Sequence, residues 1–200
     1  MGRLMEPALS NRLTKLDVTA RIWESVFPIL SGIGVVLIGL LIALGYWAGE
    51  ASIPLGGVVS GLGAVGAIVA ARVLRTALAA RRVLSQEPWV ERRVDYYIDV
   101  DNHYHGAVWV RPDRFGPEEL LLAYVLPIER RRWLWIGEEV IVWMAGSGKW
   151  RVISPVGGGK PRLARRTVPG DAKFGKLVAF TPRGKDRADR LIDAAKRDAG

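Results

Sequence analysis

His103 and His105 are the only imidazoles in the chain. Two residues apart on extended backbone, their side chains share a side, and Asp99 and Asp101 stand beside them in sequence. Nitrogen and oxygen donors in that pattern suit a weak divalent-metal site. No second donor cluster stands elsewhere to complete a coordination shell, and residues 101–106 (DNHYHG) have the composition of an exposed turn. The segment is therefore read as a polar turn, with no metal. Two Gly-Lys pairs invite a phosphate-loop reading. In residues 145–150 (AGSGKW) that loop would need glycine at the place of Trp143 and a magnesium-holding hydroxyl at the place of Trp150. Gly159-Lys160-Pro161 fails in the same way, since Pro161 offers neither hydroxyl nor N–H. Both are read as hairpin turns, and no cofactor is expected.

Carboxylates come in adjacent pairs, Glu118-Glu119 and Glu138-Glu139. Neighbours on a strand point to opposite faces, so neither pair is a natural acid–base dyad. The chain has no cysteine, which removes disulfides, thiolate zinc sites, iron–sulfur clusters and cysteine nucleophiles. No Ser-His-Asp arrangement is legible, and the reading favours a non-enzymatic protein.

Cations are the remaining chemistry. The chain of 200 residues carries 29 Lys and Arg against 20 Asp and Glu, a net charge of +9. Residues 87–128 are net −4 and residues 129–200 net +9. The basic part contains Arg130, Arg131 and Arg132 beside Trp133 and Trp135, then Arg162, Arg165 and Arg166. These six arginines are the candidate lipid or partner surface. Cations beside aromatics suit single-stranded nucleic acid or anionic lipid headgroups. A solvated charged face is the plain reading; among binding roles, the position of this segment after a membrane anchor favours lipid or a protein partner, with nucleic acid the lesser reading.

That anchor is the strongest pattern in the sequence. Residues 25–49 are 25 positions without a charge, and after Glu50 residues 51–71 supply 21 more. A hydrocarbon core of about 30 Å takes about 20 apolar helical residues. A buried core helix rarely runs so long without a charge, and a signal peptide has a shorter apolar run and no second span directly after it. Trp23 and Phe27 flank one end of the first run and Tyr46 and Trp47 the other, as suits headgroup level. The link around Glu50 is short, and Pro54 suits the first turn of a returning helix. Arg12, Lys15, Arg21, Arg72, Arg75, Arg81 and Arg82 flank the two runs, while the link has no Lys or Arg. The positive-inside rule then puts both termini in the cytoplasm, in an integral membrane protein. Small residues four apart mark candidate helix-packing positions: Gly39 and Ala43, Gly45 and Gly49, Gly57 and Gly61. They can serve the hairpin itself or a homo-oligomer. No ionisable residue lies inside either run, which argues against a proton relay or charged pathway.

The helix of the second run is expected to continue to Pro88. Beyond it the period changes to two: residues 93–100 alternate polar and apolar, as a half-buried strand does. Further strands are expected at 107–111, 140–144, 150–153 and 162–166, with Gly-rich turns between them. Residues 118–126 read as strand or helix, with strand favoured among neighbouring strands. The sum is a small antiparallel barrel or sandwich. Residues 137–156 (GEEVIVWMAGSGKWRVISPV) resemble the closing hairpin of small barrels, including membrane-anchored OB-fold proteins of the NfeD type. The resemblance covers a tenth of the chain, and the preceding segment departs from that pattern, so no family is assigned. A loop or last short strand is expected near 177–180, and 185–198 form a short amphipathic helix with Ala188, Leu191, Ile192 and Ala195 on one face.

The expected organisation is a cytoplasmic segment (1–24), a transmembrane hairpin with a helical extension (25–86), a cytoplasmic β domain (87–168), and a loop with a C-terminal helix (169–200). The expected role is a membrane-tethered interaction, scaffolding or regulatory module. The alternative is an oligomeric pore or transporter accessory built from the glycine-rich hairpins.

Overall fold

A computed structural model of the chain describes residues 6–44, 52–98, 105–114, 116–124, 137–179, 181 and 183–199. Two long helices come first, α1 (Arg12–Ala43) and α2 (Ser52–Gln86). Six strands follow: β1 (Val90–Ile98), β2 (His105–Val110), β3 (Glu119–Tyr124), β4 (Gly137–Ala145), β5 (Trp150–Ser154) and β6 (Arg162–Thr167). Helices α3 (Phe174–Ala179) and α4 (Gly184–Ala199) complete the described chain. The chain divides into two compact units, one of residues 16–79 and one of residues 1–15 with 80–200. The described residues up to Lys15 and those of α3 and α4 are grouped with the β unit.

Residues 16–79 are the body of the helical hairpin. Both α1 and α2 are long and apolar enough to cross a membrane, and in each the most apolar 18-residue window is only 11% buried. The apolar side chains are therefore not consumed by a core of the protein's own. The helices run antiparallel on a seam of small residues. A Cβ on Gly32 would lie 2.8 Å from the Gly63 carbonyl oxygen, and one on Gly56 would lie 2.5 Å from the Ala43 amide nitrogen. Ser60 Oγ reaches across to donate to the Val36 carbonyl at 3.2 Å. Backbone approach this close is what small residues permit and larger ones prevent.

The β unit is a closed barrel with strand order β1-β2-β3-β6-β5-β4, every pairing antiparallel. It is two three-stranded meanders, β1-β2-β3 and β4-β5-β6, joined along both edges. Closure leaves no unpaired strand edge. Val94 and Tyr96 of β1 and Val108 and Val110 of β2, with Leu121, Ala123, Val142, Met144, Ile153 and Ala164, fill the interior. Residues 119–124 are a strand, so the ambiguous segment resolves as expected. Residues 174–179 are helix α3 and not a strand, which corrects the reading of 177–180. The physical reason is burial on one side only: Phe174 and Leu177, three apart, are the buried pair of a single helical turn. Together with Ala188 of α4 they cover the outward side chains Ala107, Trp109, Leu120 and Leu122. The barrel thus has an apolar interior and, over β2 and β3, a second apolar layer outside.

The start of α1 is fastened to the barrel. Asn11 caps the helix, its Oδ1 accepting from the amides of Leu13 (3.0 Å) and Thr14 (3.3 Å). Its Nδ2 donates to the Gly157 carbonyl at 3.3 Å. Thr14 Oγ1 donates to the Gly158 carbonyl at 2.7 Å and accepts from Trp89 Nε1 at 3.3 Å. Gly158 has φ +82°, and a Cβ there would stand 2.5 Å from Thr14 Oγ1. Glycine is required at that turn on both counts.

Candidate functional site

The polar chemistry of the barrel is concentrated in arginine–carboxylate pairs. At one end of the interior, Arg151 forks onto Glu119, Nη2 to Oε1 at 2.7 Å and Nε to Oε2 at 3.1 Å, with both side chains almost fully buried. Arg92 donates to the carbonyls of Arg111, Gly116 and Pro117 and pairs with Asp113 at 3.0 Å. Each buried charge is thereby matched and hydrogen-bonded, the condition under which burial is tolerated.

Outside the barrel, Asp95 is a hub. It is fully buried and accepts from Arg111 of the segment after β2 (3.1–3.2 Å), from Arg187 of α4, and from the Glu139 amide of β4 at 2.8 Å. Burial pushes this carboxyl up, but the Glu139 amide, Arg111 and Arg187 together outweigh it and hold it below the ordinary value of 3.8. The Glu139 amide can turn to Asp95 because the backbone there is left-handed, φ +61°, beside an irregularity in the β1–β4 register between Val94 and Tyr96. Strict alternation, assumed for the Glu138-Glu139 pair, breaks at this point. Glu139 also pairs with Arg111. Arg187 lies over the Trp109 ring, 5.6 Å from its centre.

Above this hub is a cavity of about 410 Å³, between the end of β2, the start of β3 and the first two turns of α4. Arg111, Pro112, Glu118, Arg183, Asp186, Arg187 and Arg190 line it. Arg190 forks onto Glu118 at 3.1 and 3.3 Å, which raises the guanidinium above its ordinary value. The side chain of Arg183 has no hydrogen bond or ion pair among the described residues. Arg187 and Arg190 are three apart on α4, the spacing of one helical face. That spacing is legible in the sequence, but it is overshadowed there by the apolar face of the same helix.

The residues singled out from sequence are dispersed. Arg130, Arg131 and Arg132 lie outside the described residues. The other three do not share a surface, because alternation along β6 divides them. Arg162 is buried at 7% exposure, on the side that faces the interior, and donates to the Pro161 carbonyl. Arg165 points outward and pairs with Asp171 at 3.3 Å. Arg166 returns to the inward side at the strand end, 3.9 Å from Glu119. Alternation along β6 therefore puts Arg165 on the opposite side of the strand from Arg162 and Arg166. Of the packing positions, Gly39 and Ala43 sit in the hairpin seam against Gly56 and Ser60, whereas Gly57 and Gly61 have nothing within 4 Å. Gly45 and Gly49 lie outside the described residues. The seam also uses Gly32, Gly56 and Gly63, which sequence reasoning missed. Gly32 and Gly39 are seven apart, as are Gly56 and Gly63, and that interval keeps residues on one helical face.

His103, Asp99 and Asp101 lie outside the described residues, and among the described residues no group of three or more His, Asp or Glu could hold a metal ion. Gly146 and Gly157, with φ +111° and +108°, stand in the β4–β5 and β5–β6 turns, so both Gly-Lys segments belong to strand connections.

Fold and site together define a class: two candidate membrane helices joined to a closed six-stranded antiparallel barrel with an arginine-lined cavity on its flank. In comparisons with protein families, curated proteins and solved structures, the chain matches none.

Proposed function

We propose that this chain is an integral membrane protein of two spans, with both termini cytoplasmic, whose barrel is a non-enzymatic interaction, scaffolding or regulatory module. The observation that carries this reading is the exposure of both long apolar helices, only 11% buried in their most apolar windows, beside a barrel unit with a complete core of its own. Lipid is the solvent that such surfaces require. The seven Lys and Arg that flank the spans, against none in the link, support the orientation. For the module's role, the support is that Asp95, Asp113, Glu118, Glu119 and Asp171 are all engaged by arginines. Carboxylates so held are tied into the architecture by their ion pairs. Anionic lipid headgroups and a protein partner are the proposed contacts.

Reporter fusions test the topology. Fusions after residue 20 and after residue 90 should report the cytoplasm, and one at Glu50 the opposite side. An external signal after residue 90 would overturn the two-span arrangement. A second reading, a homo-oligomer built on the hairpins, is favoured by one observation: Gly57 and Gly61, four apart on α2, take no part in the seam and leave a close-approach surface open.

A further inference from the structure

We propose that the cavity beside α4 is a binding site for a phosphate group, held by Arg183 at its rim and by the fixed guanidinium groups of Arg187 and Arg190 in its wall. The volume, about 410 Å³, falls within the roughly 300–1,000 Å³ of small-molecule sites. Arginine is the side chain whose planar fork fits phosphate oxygens. Arg187, largely buried, is already held by Asp95 and the face of Trp109, so it has little side-chain freedom to lose when an anion arrives. Arg190, with a side chain 60% exposed, is oriented by its fork on Glu118.

Arg183 differs from the others. Its guanidinium has no partner among the described residues, and its backbone is left-handed, φ +56°. Glycine would occupy that conformation more readily than any side chain. A strained position at the mouth of a cavity, bearing an unpaired cation, is accounted for when the side chain serves a ligand. The site also adjoins the N-terminus of α4, sixteen residues long, where the helix dipole favours negative charge.

Carboxylates surround the same space. Asp95 and Glu139 hold Arg111, and Glu118 holds Arg190. Asp186, in the first turn of α4, is the remaining opposing charge in the lining. An incoming phosphate must compete with it, so the two residues 183 and 186 should respond to substitution in opposite directions.

The inference goes beyond the membrane reading and stands apart from it. The cavity lies wholly within the barrel unit, so topology and phosphate binding can fail independently. The test uses the full chain in neutral detergent, titrated calorimetrically with inorganic phosphate and with glycerol 3-phosphate at constant ionic strength. A parallel arm adds micelles containing dihexanoyl phosphatidic acid or dihexanoyl phosphatidylcholine. Saturable binding is expected in the wild type, at least tenfold weaker in Arg183→Gly and several-fold tighter in Asp186→Asn. Arg183→Gly relieves the left-handed strain, so it should unfold no earlier than the wild type. Arg183→Gln, which keeps the strain and removes the charge, must lose binding as well. Preference for phosphatidic acid over the soluble phosphates would identify a lipid headgroup, and equal binding a soluble phosphate ester. No saturable binding to any phosphate probe, or equal binding by wild type and the Arg183 variants, would overturn the proposal.

Discussion

Replacing Thr14 by valine tests how the first turn of α1 is held within the β unit. The two side chains have nearly the same shape, so packing is kept while the hydroxyl is removed. Thr14 is fully buried, and its hydroxyl makes two bonds: it donates to the Gly158 carbonyl at 2.7 Å and accepts from Trp89 Nε1 at 3.3 Å. Both partners are themselves buried. Leaving a buried donor or acceptor unmatched costs about 1–3 kcal/mol. The Gly158 bond is short and should lie within that range, while the longer Trp89 bond should fall near its lower end, so Thr14→Val is expected to cost about 2–4 kcal/mol. For a unit of this size that corresponds to a fall in melting midpoint of roughly 5–15 °C. The assay is thermal unfolding of the full chain in mild detergent, followed through tryptophan emission, since Trp89 loses its partner directly. Thr76→Val is the control: that hydroxyl donates to Val73 in its own helix at 2.7 Å and is only part-buried, so its loss should cost less than about 1 kcal/mol. Equal midpoints for the two variants would refute the argument that the Thr14 hydroxyl helps hold the β unit together.

Asp95 should give a pH signature. Its folded-state value lies below the ordinary 3.8, so its contribution to stability is complete above about pH 4 and is lost as pH falls through the folded-state value. Asp95→Asn should therefore lower stability by about 3 kcal/mol at pH 7, because two arginines lose their shared carboxylate, and the gap between the wild-type and variant curves should narrow as pH falls below the ordinary carboxylate range; a gap that stays constant as the solution is acidified from pH 7 would contradict the charge-based account. In the hairpin, Gly56→Val should lower the thermal midpoint of the helical circular dichroism signal, because its Cβ would stand 2.5 Å from the Ala43 amide nitrogen. Gly57→Val should leave that midpoint unchanged while abolishing any cross-linked oligomer, and a drop in midpoint equal to that of Gly56→Val would refute the assignment of the two faces.

Much of this architecture is legible in the chain because it rests on local periodicity. The uncharged runs 25–49 and 51–71 are long enough to declare the two helices, and the alternation in 93–98 declares a strand before any partner is known. The Gly-rich segments 146–148 and 157–159 mark turns for an equally local reason: Gly146, Gly157 and Gly158 take φ values that other residues resist. Pairing is a different matter. That β1 closes on β4 and β3 on β6 depends on contacts across dozens of residues, and alternation alone fits a sandwich as well as a barrel. The same limit governed the arginines. Neighbours in sequence, Arg162, Arg165 and Arg166 were divided between the two sides of β6, whereas Arg111 and Arg187, 76 positions apart, meet on one carboxylate. Composition determined that the second half of the chain would be basic. Only the closed barrel, with α4 laid across its flank, decided which cations are neutralised inside the fold and that Arg183 is left facing an open cavity, because neutralisation depends on distances that no sequence interval encodes.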